Sequence, residues 1–178
     1  CGYMMRPSLS VDEIGEICKF VKEINPNCIC YVDNCYGEFT DTKEPIEVGA
    51  DIIAGSLIKN PGGGIAPTGG YIVGRKDLVE LASYRMTSPG MGAELGASLA
   101  NNRLLFQGLF LAPHVVAQAV KSAIFAAAFF DLLGFKTLPA PDTKRNDIIQ
   151  AIEMGSKEKL VAFCQGIQKY SPVDSYAA

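Results

Sequence analysis

Two short apolar runs, each ending in a residue able to do chemistry, set the frame for this chain. Residues 28–33 read Cys-Ile-Cys-Tyr-Val-Asp, a near-continuous apolar run closed by the carboxylate of Asp33. Such a run is the signature of a strand buried on both faces of a parallel sheet. Residues 50–55 repeat the pattern, and Ser56 and Lys59 follow directly. In open α/β sheets, ligands bind beyond the carboxyl ends of the strands. An acid and a lysine 26 residues apart therefore point to the same rim of a sheet. The loop after the lysine holds Gly62, Gly63, Gly64, Gly69 and Gly70, which leaves backbone room for a bulky ligand.

The flanking pattern supports an α/β class. Ser10 and Glu13 have capping-box spacing, and Val11, Ile14, Cys18, Val21 and Ile24 recur at helical intervals until Asn25-Pro26. A short helical turn is predicted over 45–48, a third strand over 71–73 and a helix from Lys76. From Ala93 the pattern is helical almost to Leu133, with Pro113 opening a second helix and Gly134 as its C-cap. That second helix is apolar nearly all round from Ala123 to Phe130, which predicts burial between two bodies or at a subunit interface. After the proline-punctuated stretch 138–142 the pattern restarts, with a strand over 147–154 and a helix over 157–169 capped by Ser156. The restart marks the opening of a second, smaller domain.

Composition narrows the function classes. The chain is 48% hydrophobic and 20% charged, normal for a globular protein with a core. A net charge of −3 offers no basic surface for counterion release, so nucleic acid is not an expected partner. Six cysteines without a repeated Cys-x-x-Cys, beside the single His114, do not form a metal-site pattern. Cys28 and Cys30 read as small buried hydrophobes, which suits a reducing, cytoplasmic compartment. The longest uncharged stretch, 104–120, falls short of the ~20 apolar residues of a membrane span, and no signal-peptide pattern is seen. Residue 1 is Cys, and the chain ends without a terminating element, so a piece of a longer protein is expected.

At the strand ends the residues carry a resemblance. Asp33 and Lys59 resemble the aspartate and Schiff-base lysine of fold-type-I pyridoxal-phosphate (PLP) enzymes. Asp33-Asn-Cys-Tyr36 is similar both to the Asp-x-x-Tyr of aminotransferases and to the Asp-Asn-Thr of cystathionine and methionine lyases. From Arg6-Pro-Ser-Leu9 to Ser171-Pro-Val-Asp-Ser-Tyr176, the chain resembles the methionine gamma-lyase-like, or aluminium-resistance, proteins. Residues 54–74 are the most distinctive stretch, supported by Leu104-Leu-Phe-Gln-Gly-Leu-Phe-Leu-Ala-Pro-His114.

The resemblance implies a three-layer large domain of the PLP-transferase type with a mostly parallel sheet, followed by the start of a smaller α+β domain. Residues 1–112 would be the C-terminal part of the large domain, and 113–178 an interdomain helix with the beginning of the small one. It implies a PLP-dependent carbon–sulfur lyase acting on cystathionine, methionine or a related amino acid by β- or γ-elimination. Alternatives are another reaction on the same cofactor, such as transamination or retro-aldol cleavage, and a non-catalytic scaffold. Lys59 would bind PLP covalently and move protons at Cα, with its pKa lowered toward neutrality by desolvation and nearby cationic character. Asp33 would pair with the pyridine nitrogen, Tyr36 would hydrogen-bond the phenolic oxygen, and Ser56 would donate to the phosphate. The lyases carry a threonine directly before the lysine, where this chain has Ile58. The phosphate loop and the substrate-carboxylate arginine would lie outside the chain. A homodimer or homotetramer is implied, because active sites of this type form between subunits. Arg85, just after a helix, reads as a surface arginine, His114, just inside a helix start, as a capping or packing residue, and Cys35 as a packing residue. The 62–70 loop is not a Walker loop, for want of Gly-Lys-[Ser/Thr].

Overall fold

The structure, a computed structural model, describes residues 5–95 and 100–171. Cys1 and the 172–178 tail therefore lie outside the described residues. The chain opens with α1 (Val11–Ile24), started by the predicted capping box: the Glu13 amide donates to Ser10 Oγ at 3.2 Å, and the Ser10 amide to Glu13 Oε2 at 2.7 Å. β1 (Tyr31–Asp33), β2 (Ile52–Ser56) and β3 (Gly70–Gly74) form a three-stranded sheet in that order. β1 and β2 run parallel, with Asp33 level with Ala54, whereas β3 returns antiparallel, with Gly70 beside Ser56. The sheet is therefore mixed, with one parallel and one antiparallel pair. The 18-residue connection between β1 and β2, residues 34–51, can turn a parallel crossover, but the shorter loop after Ser56 reverses direction instead. The predicted turn is a 3-10 helix, Pro45–Val48, lying under α1.

The core beneath this sheet is small. Cys18 of α1 packs on Ala50 and Ile53, with Ile14, Cys30, Val32 and Ile46 around them. Asp51 staples the same region: Lys22 reaches its Oδ2 at 2.6 Å, Arg75 its Oδ1 at 3.2 Å, and the Cys30 amide donates to Oδ2 at 2.8 Å. β1 is shorter than the predicted run and is not buried on both faces. It is an edge strand among those described, with Tyr31 61% exposed and Cys28 exposed as well, because only β2 pairs with it.

After α2 (Lys76–Met86) and a 3-10 turn (Gly92–Leu95), the chain enters α3 (Asn102–Leu132), one uninterrupted helix of 31 residues with Pro113 inside it. Pro113 does not open a second helix. Good helix formers on both sides absorb the roughly 3 kcal/mol cost of an internal proline. As a single helix α3 meets the length and composition of a membrane span, unlike the 104–120 stretch by itself. What it buries is small: Gly108, Ala112, Val116, Ala123 and Ala127. Its large side chains, Phe110 (84% exposed), Phe125 and Leu132 (86% exposed), are not covered by the described residues of this chain.

A separate two-stranded antiparallel sheet follows, β4 (Lys136–Leu138) with β5 (Ala151–Glu153), and then α4 (Lys157–Tyr170), capped by Ser156 as predicted. The predicted strand over 147–154 shrinks to its last part. Asp147 instead uses its side chain to accept the Ile149 amide at 2.9 Å, a local bond that competes with a ladder. Phe130 joins this body together, edge-on to Phe135 at 5.8 Å and to Phe163 at 5.7 Å.

Candidate active site

The structure brings the sequence-predicted residues to one rim. Asp33 is the last residue of β1, and Ser56 the last of β2. Lys59 follows one turn later: its amide donates to the Ser56 carbonyl at 3.2 Å, and its own carbonyl accepts the Gly62 amide at 3.0 Å. The lysine thus caps the short 3-10 helix Asn60–Gly62 and is half-buried. Ile58, where the resembled lyases have threonine, is exposed and offers no hydroxyl. Tyr36 reaches across from the β1 loop, and the Lys59 Nζ stands 4.3 Å from the centre of its ring, in cation–π range.

The electrostatics of the two charged groups differ in origin. The Cys35 amide donates to Asp33 Oδ1 at 3.1 Å, and this bond, helped by Lys59 and opposed by burial, holds the Asp33 carboxyl below the usual range. Asp33 is ionised and held by backbone, not by the lysine alone. Burial pulls the Lys59 amine down, but the Cys35 thiol and the Tyr36 hydroxyl outweigh it, so the ammonium is held above the ordinary lysine range. The expectation of a lysine lowered toward neutrality is corrected here. The groups that bear on it are a thiol, a phenol and a carboxylate, and each favours the charged amine. Cys35 was expected only to pack; it stands between the acid and the lysine, and burial raises its own thiol pKa.

Behind the rim lies a buried polar layer that the sequence did not announce. Glu38 is 4% exposed and accepts the Tyr71 hydroxyl on Oε1 at 2.6 Å, while Oε2 has no hydrogen-bond partner. Burial raises the Glu38 carboxyl pKa, and burial with the Glu38 contact raises that of Tyr71. A side chain at Gly55 would collide with both, so β2 needs glycine one residue before Ser56. Asn60, also 4% exposed, donates from Nδ2 to the carbonyls of Tyr36 at 3.0 Å and Glu38 at 2.9 Å. Asn34 donates to Glu44 at 2.9 Å and completes the layer. Only the position of Asn60, directly after the lysine, could have drawn notice in the sequence.

Other residues weighed from the sequence lie away from this rim. Arg85 is in the last turn of α2, not beyond it, and is exposed. His114 is exposed in the interior of α3, neither a cap nor a packing residue. A groove of about 640 Å³ runs along β1 from Ile17 and Val21 of α1 to Asp33 and Cys35.

The donor set fits pyridoxal phosphate. One amine, one ionised carboxylate, one phenol and one hydroxyl, drawn from two adjacent strand ends, match the aldehyde, ring nitrogen, phenolic oxygen and phosphate of that cofactor. Comparison with known proteins gives the family. YnbB of Bacillus subtilis (strain 168), a protein without an assigned role, is 57% identical over 175 residues, covering 98% of this chain and 42% of its own length. A crystal structure from Clostridium acetobutylicum, of a candidate cystathionine beta-lyase involved in aluminum resistance, superposes with a TM-score of 0.94 at 55% identity, over 99% of this chain and 42% of that one. A carbon-sulfur lyase involved in aluminum resistance from Clostridium novyi NT superposes with a TM-score of 0.93 at 54% identity, over 98% and 42%. The chain thus spans about two-fifths of the length of these relatives. The profile of the methionine gamma-lyase family matches residues 1–178, and the chain belongs to that family.

Proposed function

We propose that this chain supplies the lysine-bearing rim of a PLP-dependent carbon–sulfur lyase of fold type I, which cleaves cystathionine, methionine or a related amino acid by β- or γ-elimination. The observation that carries the reading is the Lys59 amine standing over the Tyr36 ring, with ionised Asp33 at the neighbouring strand end. When bound, pyridoxal phosphate supplies an electrophilic carbon for amines and an aromatic ring that accepts negative charge developing at the substrate Cα.

The chain's own residues do the rest. Lys59 would hold the cofactor through Nζ, and its amine would be the group that moves a proton at the substrate Cα. Asp33 keeps the pyridine nitrogen protonated. Its bond from the Cys35 amide is the main group that keeps it charged, with Lys59 adding to it. The Tyr36 hydroxyl would donate to the phenolic oxygen, and the Ser56 hydroxyl would donate to the phosphate. Residues 1–112 fall to the large domain, and 113–178 to the linking helix and the start of the small one. A homodimer or homotetramer in the cytoplasm goes with this reading, and the exposed aromatic face of α3 supports a subunit contact.

The test is a product assay on the longest available form of the protein, loaded with pyridoxal phosphate. Ammonia and a 2-oxo acid released from cystathionine or methionine bear the reading out. An amino-group exchange with a 2-oxo acid, without loss of sulfur, moves it to transamination. No reaction with any amino acid by the cofactor-loaded protein leaves a scaffold.

A further inference from the structure

We propose that Asn60 is a positioning residue that fixes the Tyr36 ring under the Lys59 amine by tying the tyrosine loop to the lysine's own turn. The inference rests on the reading of Lys59 as the reactive amine, and it adds a device that the reading does not require.

Three observations carry it. First, Tyr36 has φ +72°, a left-handed conformation that is unfavourable for a bulky residue and persists only when its surroundings impose it. Second, the Tyr36 carbonyl takes two donors from distant parts of the chain, Asn60 Nδ2 at 3.0 Å and the Ile148 amide at 3.3 Å. The same Asn60 nitrogen also donates to the Glu38 carbonyl at 2.9 Å, so one amide spans the tyrosine loop. Third, Asn60 Oδ1 is buried and unbonded. An asparagine there is kept for its two N–H groups alone, since two carbonyl acceptors cannot be met by its oxygen. Because Asn60 directly follows Lys59, any shift of the lysine turn carries the tyrosine loop with it. The ring and the amine keep their 4.3 Å spacing as a unit.

The groups that bear on the amine are Asp33, Cys35 and Tyr36. Loss of the ring from that set lowers the affinity of the amine for its proton. The experiment measures the pH–rate profile of Lys59 acylation by an N-hydroxysuccinimide ester in the cofactor-free protein, read by peptide mass spectrometry. Asn60→Ala is expected to move the profile to lower pH, raising the rate below the midpoint about two- to five-fold, the size of a partly exposed cation–π contact. Tyr36→Leu is expected to give the same shift, and the double variant no more than either alone, because the two act through one contact. Where Asn60→Ala loosens the fold by circular dichroism, Asn60→Leu keeps about the same volume, removes both N–H donors without adding a charge and carries the same expectation. An Asn60 variant whose profile matches wild type overturns the proposal. So does an Asn60 effect that persists at full size in the Tyr36→Leu background. The cofactor reading fails separately: no pyridoxyl adduct on Lys59 of the intact protein would refute the lyase and leave this profile standing.

Discussion

The sheet rim and helix α3 are built on opposite terms, although they touch. At the rim, Tyr36, Glu38, Asn60 and Tyr71 are held by directed bonds between groups far apart in sequence, and Asp33 by the Cys35 amide two residues on. Along α3, contact is made by small residues: Gly108 meets the backbone of Gly62 and Gly63 so closely that a side chain at 108 or 63 would collide with the facing carbonyl. The aromatic side chains of α3 face away. A site of the proposed kind, which would have to place a proton closely, is served by bonds with one geometry. A helix that only has to press on the lysine turn uses close packing without large side chains. The two meet at Asn60–Gly62, where one face of the turn is bonded to the tyrosine loop and the other lies against α3.

Substitutions can break this contrast at each point. The largest effect belongs to Lys59→Ala, expected to lower turnover by about 10²–10⁴-fold or more with the far-ultraviolet spectrum unchanged. Retained turnover in a folded Lys59→Ala protein would remove the rim from the chemistry. Gly108→Val comes next. It forces two backbones apart and is expected to cost about 1–3 kcal/mol in denaturant unfolding, and to loosen Lys59 as measured by hydrogen exchange of the 59–63 amides. If those amides stay as protected as in wild type, α3 does not support the lysine turn.

Two carboxylates sharpen the comparison within the polar half. Asp51 is held down to about 2, first by Lys22, then by the Cys30 amide and Arg75. A depressed carboxyl contributes stability above its unfolded pKa, and that contribution is lost as pH falls toward the folded value. Asp51→Asn should therefore cost about 1–2 kcal/mol at pH 7, after discounting for partial exposure, with most of that cost gone by about pH 2. Unfolding midpoints across that range decide it. Glu38 has the opposite sign, because burial raises it. Its contribution is present in acid and is lost as pH rises through and above the ordinary carboxylate range. Glu38→Gln, which still accepts the Tyr71 hydroxyl, should change stability by less than about 1 kcal/mol at neutral pH and flatten the fall toward alkaline pH. An unchanged slope would mean that Glu38 is not the buried acid responsible.

Much of the rim was legible because strand ends are marked locally. The apolar runs, the terminal Asp33 and the Ser56-x-x-Lys59 spacing needed no knowledge of contacts, and the structure sets all three residues on one edge. The supporting layer was not legible, since Glu38 becomes buried only through Tyr71, 33 positions on, and Asn60 finds its acceptors 22 and 24 positions back. The left-handed Tyr36 was hidden for the same reason. β1 read as doubly buried because residue type reports apolarity and not the number of neighbours. Pro113 misled because a proline's local preference for a helix start yielded to the long helical stretch around it.

The most direct measurement is reductive trapping. The longest form of the protein is incubated with pyridoxal phosphate, reduced with borohydride, digested and mapped by mass spectrometry. A pyridoxyl group on Lys59, absent in Lys59→Ala, is the predicted result. A folded protein that carries the label on another lysine, or on none, contradicts the account.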